Sequence, residues 1–521
     1  MKKTIALFLS LIFLILVLSS CNEAEKNSEN ALSENSQFEN LPSDIEVMPV
    51  PISGEISYEQ TKKKDLGGRT FNIIERYFGH NKESIHYSGE VLYMENKDGV
   101  LDSVNKTKKE IIEQIEKDYN CKIEGEIFGE GSSNIVKDLK NVLENDIVSK
   151  TYKYDFFFET PYYYTDFIVN GYIKDVNEIS AINLKSSCWD EKILEGVSIC
   201  ESLYFLTGAI NCFDNDGTIV MYMNKDLYEK NGYIEDVYSL VRDKKWTYDK
   251  FFEMASQFEV SDINKDGERN EFDNWFLGSE SSNLYVHVVS SGETIVKKDK
   301  EDVPFVQNPS DLFVDAYKKY YDLYKGGNVL VADLQEYYNK YPNPGEIYEK
   351  TVNRAFMEER MLFHMTTLIQ PSLYNSLDFD IAVLPVPMYN ETQGGYISYT
   401  SPHTFSSLMI INSPKADDDL GIMIQALCEL SEEKLKEPYY EQLLGKNFNG
   451  ENVEMLDIVF DSRAYDFASV FGSMSGANRL LEHIQNFNNP VYCGPDPWLI
   501  ASHTLELYVE KIKDMRKKDF Q

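Results

Sequence analysis

The chain has 521 residues, 42% of them hydrophobic and 13% aromatic, with a formal charge of −35. That apolar and aromatic content specifies packed globular structure rather than a disordered chain. A chain this acidic excludes nucleic acid and anionic lipid as partners held by bulk electrostatics.

Lys2 and Lys3 precede Ile5–Leu18, which is almost entirely apolar and ends in LSSC at Cys21. An apolar core of roughly 14 residues is short of the ~20 that a membrane span needs and has the layout of a secretory signal. A Cys directly after small residues resembles the lipobox of bacterial lipoproteins. There the signal (here 1–20) is removed and the Cys, here Cys21, carries acyl chains. Residues 21–64 follow, beginning NEAEKNSENALSENS, rich in Glu, Asn and Ser. Such a stretch buries too little surface to offset its ordering entropy and reads as a disordered tether with a reach of roughly 35 Å. The remaining body, about 450 residues, is too long for one ordinary core and long enough for two domains.

Within the body, TFNIIE (70–75), KIEGEIF (122–128) and YDFFFET (154–160) read as strands. Between them, Ser103 can cap a helix with Val104, Ile111, Ile112, Ile115 and Tyr119 on one face. A second helix follows Ser132 or Ser133, with Ile135, Val136, Leu139, Val142, Leu143 and Ile147 inward. Strand, helix, strand, helix, strand predicts a parallel sheet with right-handed crossovers, and ligands of such sheets sit beyond the carboxyl ends of the strands. ETPYYYTDF (159–167) leaves the third strand at that edge, and its three consecutive tyrosines cannot all face inward from a loop.

Farther on, DINKDGERNEFD (262–273) has the spacing of a calcium loop. Asp262, Asn264, Asp266, Glu268 (through its carbonyl), Asn270 and Asp273 stand at the oxygen-donating positions, with Gly267 at the sharp turn. Asp rather than Glu closes it, which shortens the reach, and an acidic capping loop without metal is the alternative.

Catalytic signals are sparse. Cys121, Cys188, Cys200, Cys212, Cys428 and Cys493 form no CxxC pair, and they read as buried free thiols, with a disulfide framework the alternative. There is no HExxH, P-loop or GxGxxG, and GSMSG (472–476) has Met474 where a nucleophile elbow needs Ser.

Several segments in order resemble one family. GTIVMYMNKDLYEKNGY (217–233), KKWTYDKFFEMASQF (244–258), DFDIAVLPVP (378–387) and DLGGRTFNI (65–73) are similar to segments of extracellular solute-binding proteins of the type-1, maltose-binding-like superfamily. Asn224, Lys225, Asp226, Leu227, Glu229, Lys230 and Gly232 agree with its strand-then-helix pattern, with Met223 in place of Tyr. Trp246, Thr247, Asp249 and Phe251 match its WTWDEF helix. AFMEERMLF (355–363) departs from the pattern at Glu359 and Phe363.

The resemblance implies an α/β, two-lobe periplasmic-binding-protein-like fold (type II) with the ligand in the cleft between lobes. It places 65–215 with 357–430 in the first lobe and 216–356 with 431–521 in the second. It implies a monomer, lipid-anchored at the extracellular face of the cytoplasmic membrane, that hands its solute to an ABC importer permease. Sugars stack on aromatic faces, so Tyr162, Tyr163, Trp189, Phe213, Tyr399 and Trp498 are the ligand-contacting candidates, whereas Trp246 is assigned to packing. No catalytic cofactor is expected, and calcium, if bound, is a structural clip. The alternative is an extracellular, calcium-stabilised carbohydrate-active hydrolase, which needs two carboxylates across a cleft.

Overall fold

The structure is a computed structural model describing residues 64–77, 89–96, 98–129, 134–368, 374, 377–484 and 495–519. The signal-like segment, Cys21, almost all of the tether and Cys493 lie outside the described residues. Within them, β1 (Arg69–Arg76) pairs in parallel with β2 (Cys121–Phe128) on one side and β3 (Phe156–Glu159) on the other. Phe156, Phe157 and Phe158 are all fully buried. A run that is apolar on both faces belongs in a sheet covered on both sides.

The crossover helices are α1 (Ser103–Tyr119) and α2 (Ile135–Val148). Asp102, rather than the expected Ser103, caps α1 by accepting from the Asn105 N–H (2.8 Å). Asn120, at φ 48°, ends it in the left-handed region that Asn tolerates. The predicted stripe Val104, Ile111, Ile112, Ile115 and Tyr119 is buried, as are Leu139, Leu143 and Ile147 of α2.

After a long excursion the chain enters a short helix, α3 (Phe213–Asp216), and then β4 (Ile219–Asn224). Helix α4 (Tyr248–Gln257), capped by Thr247, leads to β5 (Trp275–Ser279). A hairpin of β6 (Val296–Lys298) and β7 (Pro304–Val306) precedes helix α5 (Asp311–Lys325) and β8 (Val329–Val331). Then come β9 (Met361–Thr367) and β10 (Ile381–Leu384), completing a five-stranded sheet of order β10-β4-β9-β5-β8. Trp246 packs here as expected, fully buried, its Nε1–H donating to the Pro385 carbonyl at 2.9 Å.

The chain then crosses back through β11 (Ser398–Tyr399) to β12 (Ser407–Ile410), which joins β3 antiparallel and completes a first sheet of order β12-β3-β1-β2. Helix α6 (Asp418–Lys434) lies against α1, and after α7 (Lys436–Leu444) and α8 (Gly450–Asp461) the strand β13 (Arg463–Ala464) pairs with β11.

One boundary is corrected. Residues 357–384 do not belong to the first lobe, because β9 is the middle strand of the second sheet and β10 is its edge. The C-terminal helix α9 (Pro495–Asp519), expected in the second lobe, reaches the first-sheet side, where the Tyr508 hydroxyl donates to the Thr165 carbonyl at 2.7 Å. The chain passes between the sheets again after α6, since α8 lies against β10, but the two segments that lead from one sheet directly into a strand of the other are 211–218, into β4, and 399–406, into β12. An antiparallel bridge, Thr218 to Thr400, joins them. No helix among the described residues is long and apolar enough to cross a membrane.

Candidate functional site

Because β1 and β3 are parallel, Arg76 and Glu159 leave the first sheet at the same edge. Glu159 is fully buried, and burial pushes its carboxyl up while the Arg76 guanidinium opposes the shift. Arg76 Nε stands 3.2 Å from Glu159 Oε1, and its Nη2 donates to Thr160 Oγ1 at 3.2 Å. Such a pair tolerates burial only because each charge compensates the other.

Beyond it Pro161 opens a 3-10 turn, Pro161–Tyr163, that presents the tyrosines. Tyr164 is fully buried, whereas Tyr162 and Tyr163 are half-buried at the sheet edge. The Tyr162 hydroxyl accepts from Asn478 Nδ2 at 2.8 Å, and its carbonyl accepts from Ser473 Oγ at 3.4 Å. Its ring meets His403 edge-on, with centroids 4.6 Å apart. His403, on the segment crossing into β12, is exposed by area, yet nearby protein encloses its ring enough to desolvate it. That enclosure holds its imidazole below the ordinary range.

At the second sheet, Glu280 follows β5 and is half-buried. Ser282 Oγ donates to it at 3.2 Å, Tyr348 hydrogen-bonds to it, and burial raises its carboxyl. Residues 78–88, 130–133 and 369–373, which leave β1, β2 and β9, lie outside the described residues.

The six aromatic candidates thus divide. Tyr162 and Tyr163 stand at the edge. Trp189, Phe213 and Tyr399 are corrected to packing residues, at 2%, 2% and 6% exposure. Trp189 Nε1 donates to Gln425 Oε1 (2.9 Å) and the Tyr399 hydroxyl to Ser469 Oγ (2.9 Å), so each polar tip is satisfied inside the protein. Trp498, partly buried, rests edge-on against Phe313 of α5, centroids 6.2 Å apart.

Sequence reasoning missed Asn478, Ser473 and His403. The signal was GSMSG: Gly476, at φ 74°, makes the turn between the helices that carry Ser473 and Asn478, and a Cβ there would meet Thr504 at 2.9 Å.

Trp189 also borders a cavity of about 440 Å³ walled by Asp190, Tyr439, Tyr440, Phe460 and Arg463. Several of its charges are mutually paired. Arg463 Nη2 contacts Asp190 at 2.9 Å and Nη1 contacts Asp214 at 3.1 Å, while Lys436 contacts Asp457 at 2.9 Å. Arg463 and Lys436 also cover the Phe460 and Tyr440 rings, each 5.3 Å from the centroid. The cavity is a junction between elements of the two sheets, and the sheet edge is the better site.

No family model and no curated protein matches the chain. Among solved structures it is similar to a cyclo/maltodextrin-binding protein complexed with maltotetraose, at 13% identity and TM-score 0.52, over 87% of this chain and 97% of that one. It is also similar to the cyclic alpha-maltosyl-1,6-maltose binding protein from Arthrobacter globiformis, at 10% identity and TM-score 0.51, over 85% and 99%. The fold is that of the periplasmic binding proteins.

In this periplasmic-binding-protein fold the acidic loop lies between α4 and β5 of the second sheet. Asp262 accepts from the Lys265 and Gly267 N–H groups (2.6 and 2.8 Å). Asn264 and Asn270 both turn their amide nitrogens onto Asp266 Oδ2 (2.7 and 2.9 Å), and the Glu268 N–H donates to Asp266 Oδ1 (2.8 Å). Asp273, the expected closing ligand, is buried and faces the Ile263 and Asn270 N–H groups at 3.0 Å each. The loop thus brings Asn264, Asp266 and Asn270 together, while Asp262 and Asp273 cap its own backbone. Among the described residues no group of three or more His, Cys, Asp or Glu is arranged to hold a metal.

Proposed function

We propose that the protein is an extracytoplasmic solute-binding protein that captures a carbohydrate, an oligosaccharide first among them, for an ABC importer. Tyr162 carries this reading. It is a half-buried ring at the carboxyl edge of a parallel sheet, where such folds take their ligands, with His403 beside it and the Asn478 amide and Ser473 hydroxyl in reach. A sugar offers an apolar ring face to Tyr162 and hydroxyls to Asn478, Ser473 and, from the second sheet, Glu280. The two structural neighbours are maltodextrin- and cyclic-maltose-binding proteins, which supports the carbohydrate class. Capture proceeds by closure of the two sheets about the crossing segments, the closed form being the one a permease accepts. Cys21 supplies the lipid anchor. The protein binds and releases its solute without chemical change.

A calcium ion in the acidic loop belongs to the same reading as a clip on one lobe. The ion would displace the Asn264 and Asn270 amide nitrogens from Asp266 Oδ2 and draw the amide oxygens there instead, replacing the bonds those oxygens accept from the Asp266 and Phe272 N–H groups (3.1 and 3.0 Å) and making one oxygen-lined point, the donor set calcium takes.

The test is calorimetry and thermal shift against a panel of linear and cyclic oligosaccharides. One of them should bind and persist unconsumed. Tyr162→Ala should weaken that binding by about 1–3 kcal/mol, the worth of a stacked aromatic, and leave the ligand-free melting temperature nearly unchanged. Turnover in proportion to protein would replace this reading with the hydrolase.

A further inference from the structure

Glu90 is 1% exposed, yet it belongs to no strand or helix. Its carboxylate accepts from the Cys212 N–H at 2.5 Å, the Phe213 N–H at 3.1 Å and Asn211 Nδ2 at 3.5 Å, all on the segment entering β4. It also accepts from the Ser406 hydroxyl, on the segment entering β12. One side chain therefore holds the two segments that lead from one sheet directly into a strand of the other.

The short stretch bearing Glu90 is itself fixed from two sides. Glu75 of β1 accepts from the Val91 and Leu92 N–H groups (2.8 and 3.1 Å), and Lys108 of α1 donates to the Gly89 carbonyl (2.5 Å). A Cβ at Gly89 would stand 2.0 Å from Glu75 Oε2 and push that carboxylate off the Val91 and Leu92 N–H groups. A buried stretch this short, tied at Gly89, Val91 and Leu92, serves to position what lies between them.

We propose that Glu90 is the pin of the hinge, a positioning residue that fixes the two crossing segments to each other, and that the pinned arrangement is favoured by its protonation. The inference rests on the two-sheet architecture and not on which solute is bound.

The charges around the pin set the sign. Lys108 faces it from α1 and Glu75 from β1; Cys212, Asp214 and Ser406 face it from the crossings, with Arg463 and Asp190 behind Asp214. Two carboxylates share the one lysine. Burial raises the Glu90 carboxyl despite Lys108 and its hydrogen bonds, and it raises Glu75 to about 7. A group whose affinity for protons is higher in the pinned state binds protons on pinning. Acid therefore tightens the hinge, and rising pH draws the charged carboxylate toward water.

Amide hydrogen exchange on the full, ligand-free chain tests this without any solute. Peptides spanning 211–218 and 400–408 should lose protection between pH 5 and pH 8, after correction for intrinsic exchange. The peptide 121–128 of β2 serves as reference. In Glu90→Gln the pH dependence of both peptides should disappear. Should that variant fail to fold, Glu75→Gln keeps one acceptor oxygen toward the Val91 and Leu92 N–H groups and leaves Lys108 to Glu90 alone, so the transition should move to lower pH. Flat protection in the parent, an unshifted transition in Glu75→Gln, or a parent-like pH profile in Glu90→Gln would overturn the proposal.

Discussion

Replacing Arg463 with Met removes the one guanidinium that serves two buried carboxylates. Its side chain is 11% exposed, and it reaches Asp190 at 2.9 Å and Asp214 at 3.1 Å, with Asp214 fully buried. Burial already holds Asp214 well above the usual carboxylate range, with Arg463 the main opposing influence and Glu90 and Asp190 adding to the rise. Breaking a buried pair from one side leaves an uncompensated charge and costs about 3–5 kcal/mol. Unfolding a body of about 450 residues carries an entropy near 1 kcal/mol/K, so the melting temperature should fall by roughly 3–5 °C. The deficit should depend on pH. Without its partner Asp214 takes up a proton in the folded state, so the variant's deficit should shrink toward pH 5 and grow toward pH 8. Adding Asp214→Asn should recover part of the loss, giving a coupling energy in the double-mutant cycle. Differential scanning calorimetry of the four proteins at both pH values decides it. A deficit equal at the two pH values, with no coupling, would show that Arg463 matters only for packing.

Glu75, raised to about 7 by burial, contributes stability that is complete below about pH 4.5 and is lost as pH rises through 7. The difference between parent and Glu75→Gln should change by about 3 kcal/mol over that window, read from urea midpoints, and parallel curves would refute it. Trp189→Ala should cost about 3–5 kcal/mol of stability, as for a core aromatic, and affinity should fall only as the fold fails. A selective loss of solute binding in a well-folded variant would restore Trp189 to the site. Calcium should raise the melting temperature and chelator lower it, with Asp266→Ala abolishing the response. No calcium-dependent shift in the parent would leave the loop as a self-capped turn.

What the sequence disclosed and what it withheld follow from the range of the interactions. The helix stripe from Val104 to Tyr119 and the run Phe156–Phe158 are local periodicities, and the chain folds them as written. That Tyr162 and Tyr163 stay partly exposed was legible for a related reason: a turn of that length has one inward direction, and Tyr164 takes it. Strand partnership was not legible. MLFHMTT reads as buried on both faces whichever sheet receives it, so nothing in residues 361–367 distinguishes β4 and β5 as neighbours from β1 and β3. The aromatics failed by the same logic. Trp189, Phe213 and Tyr399 have the composition of a sugar platform, but whether a ring faces a cleft or a core depends on partners such as Gln425 and Ser469, 236 and 70 residues away. Buried polar groups are subject to stricter accounting than apolar ones, because each must find a partner. That is why the hinge is best read from its charges. Glu90, Asp214 and Arg463 are scattered over more than half the body, and an uncompensated charge among them would be costly enough that their meeting at the crossing segments constrains the architecture more than any apolar contact there.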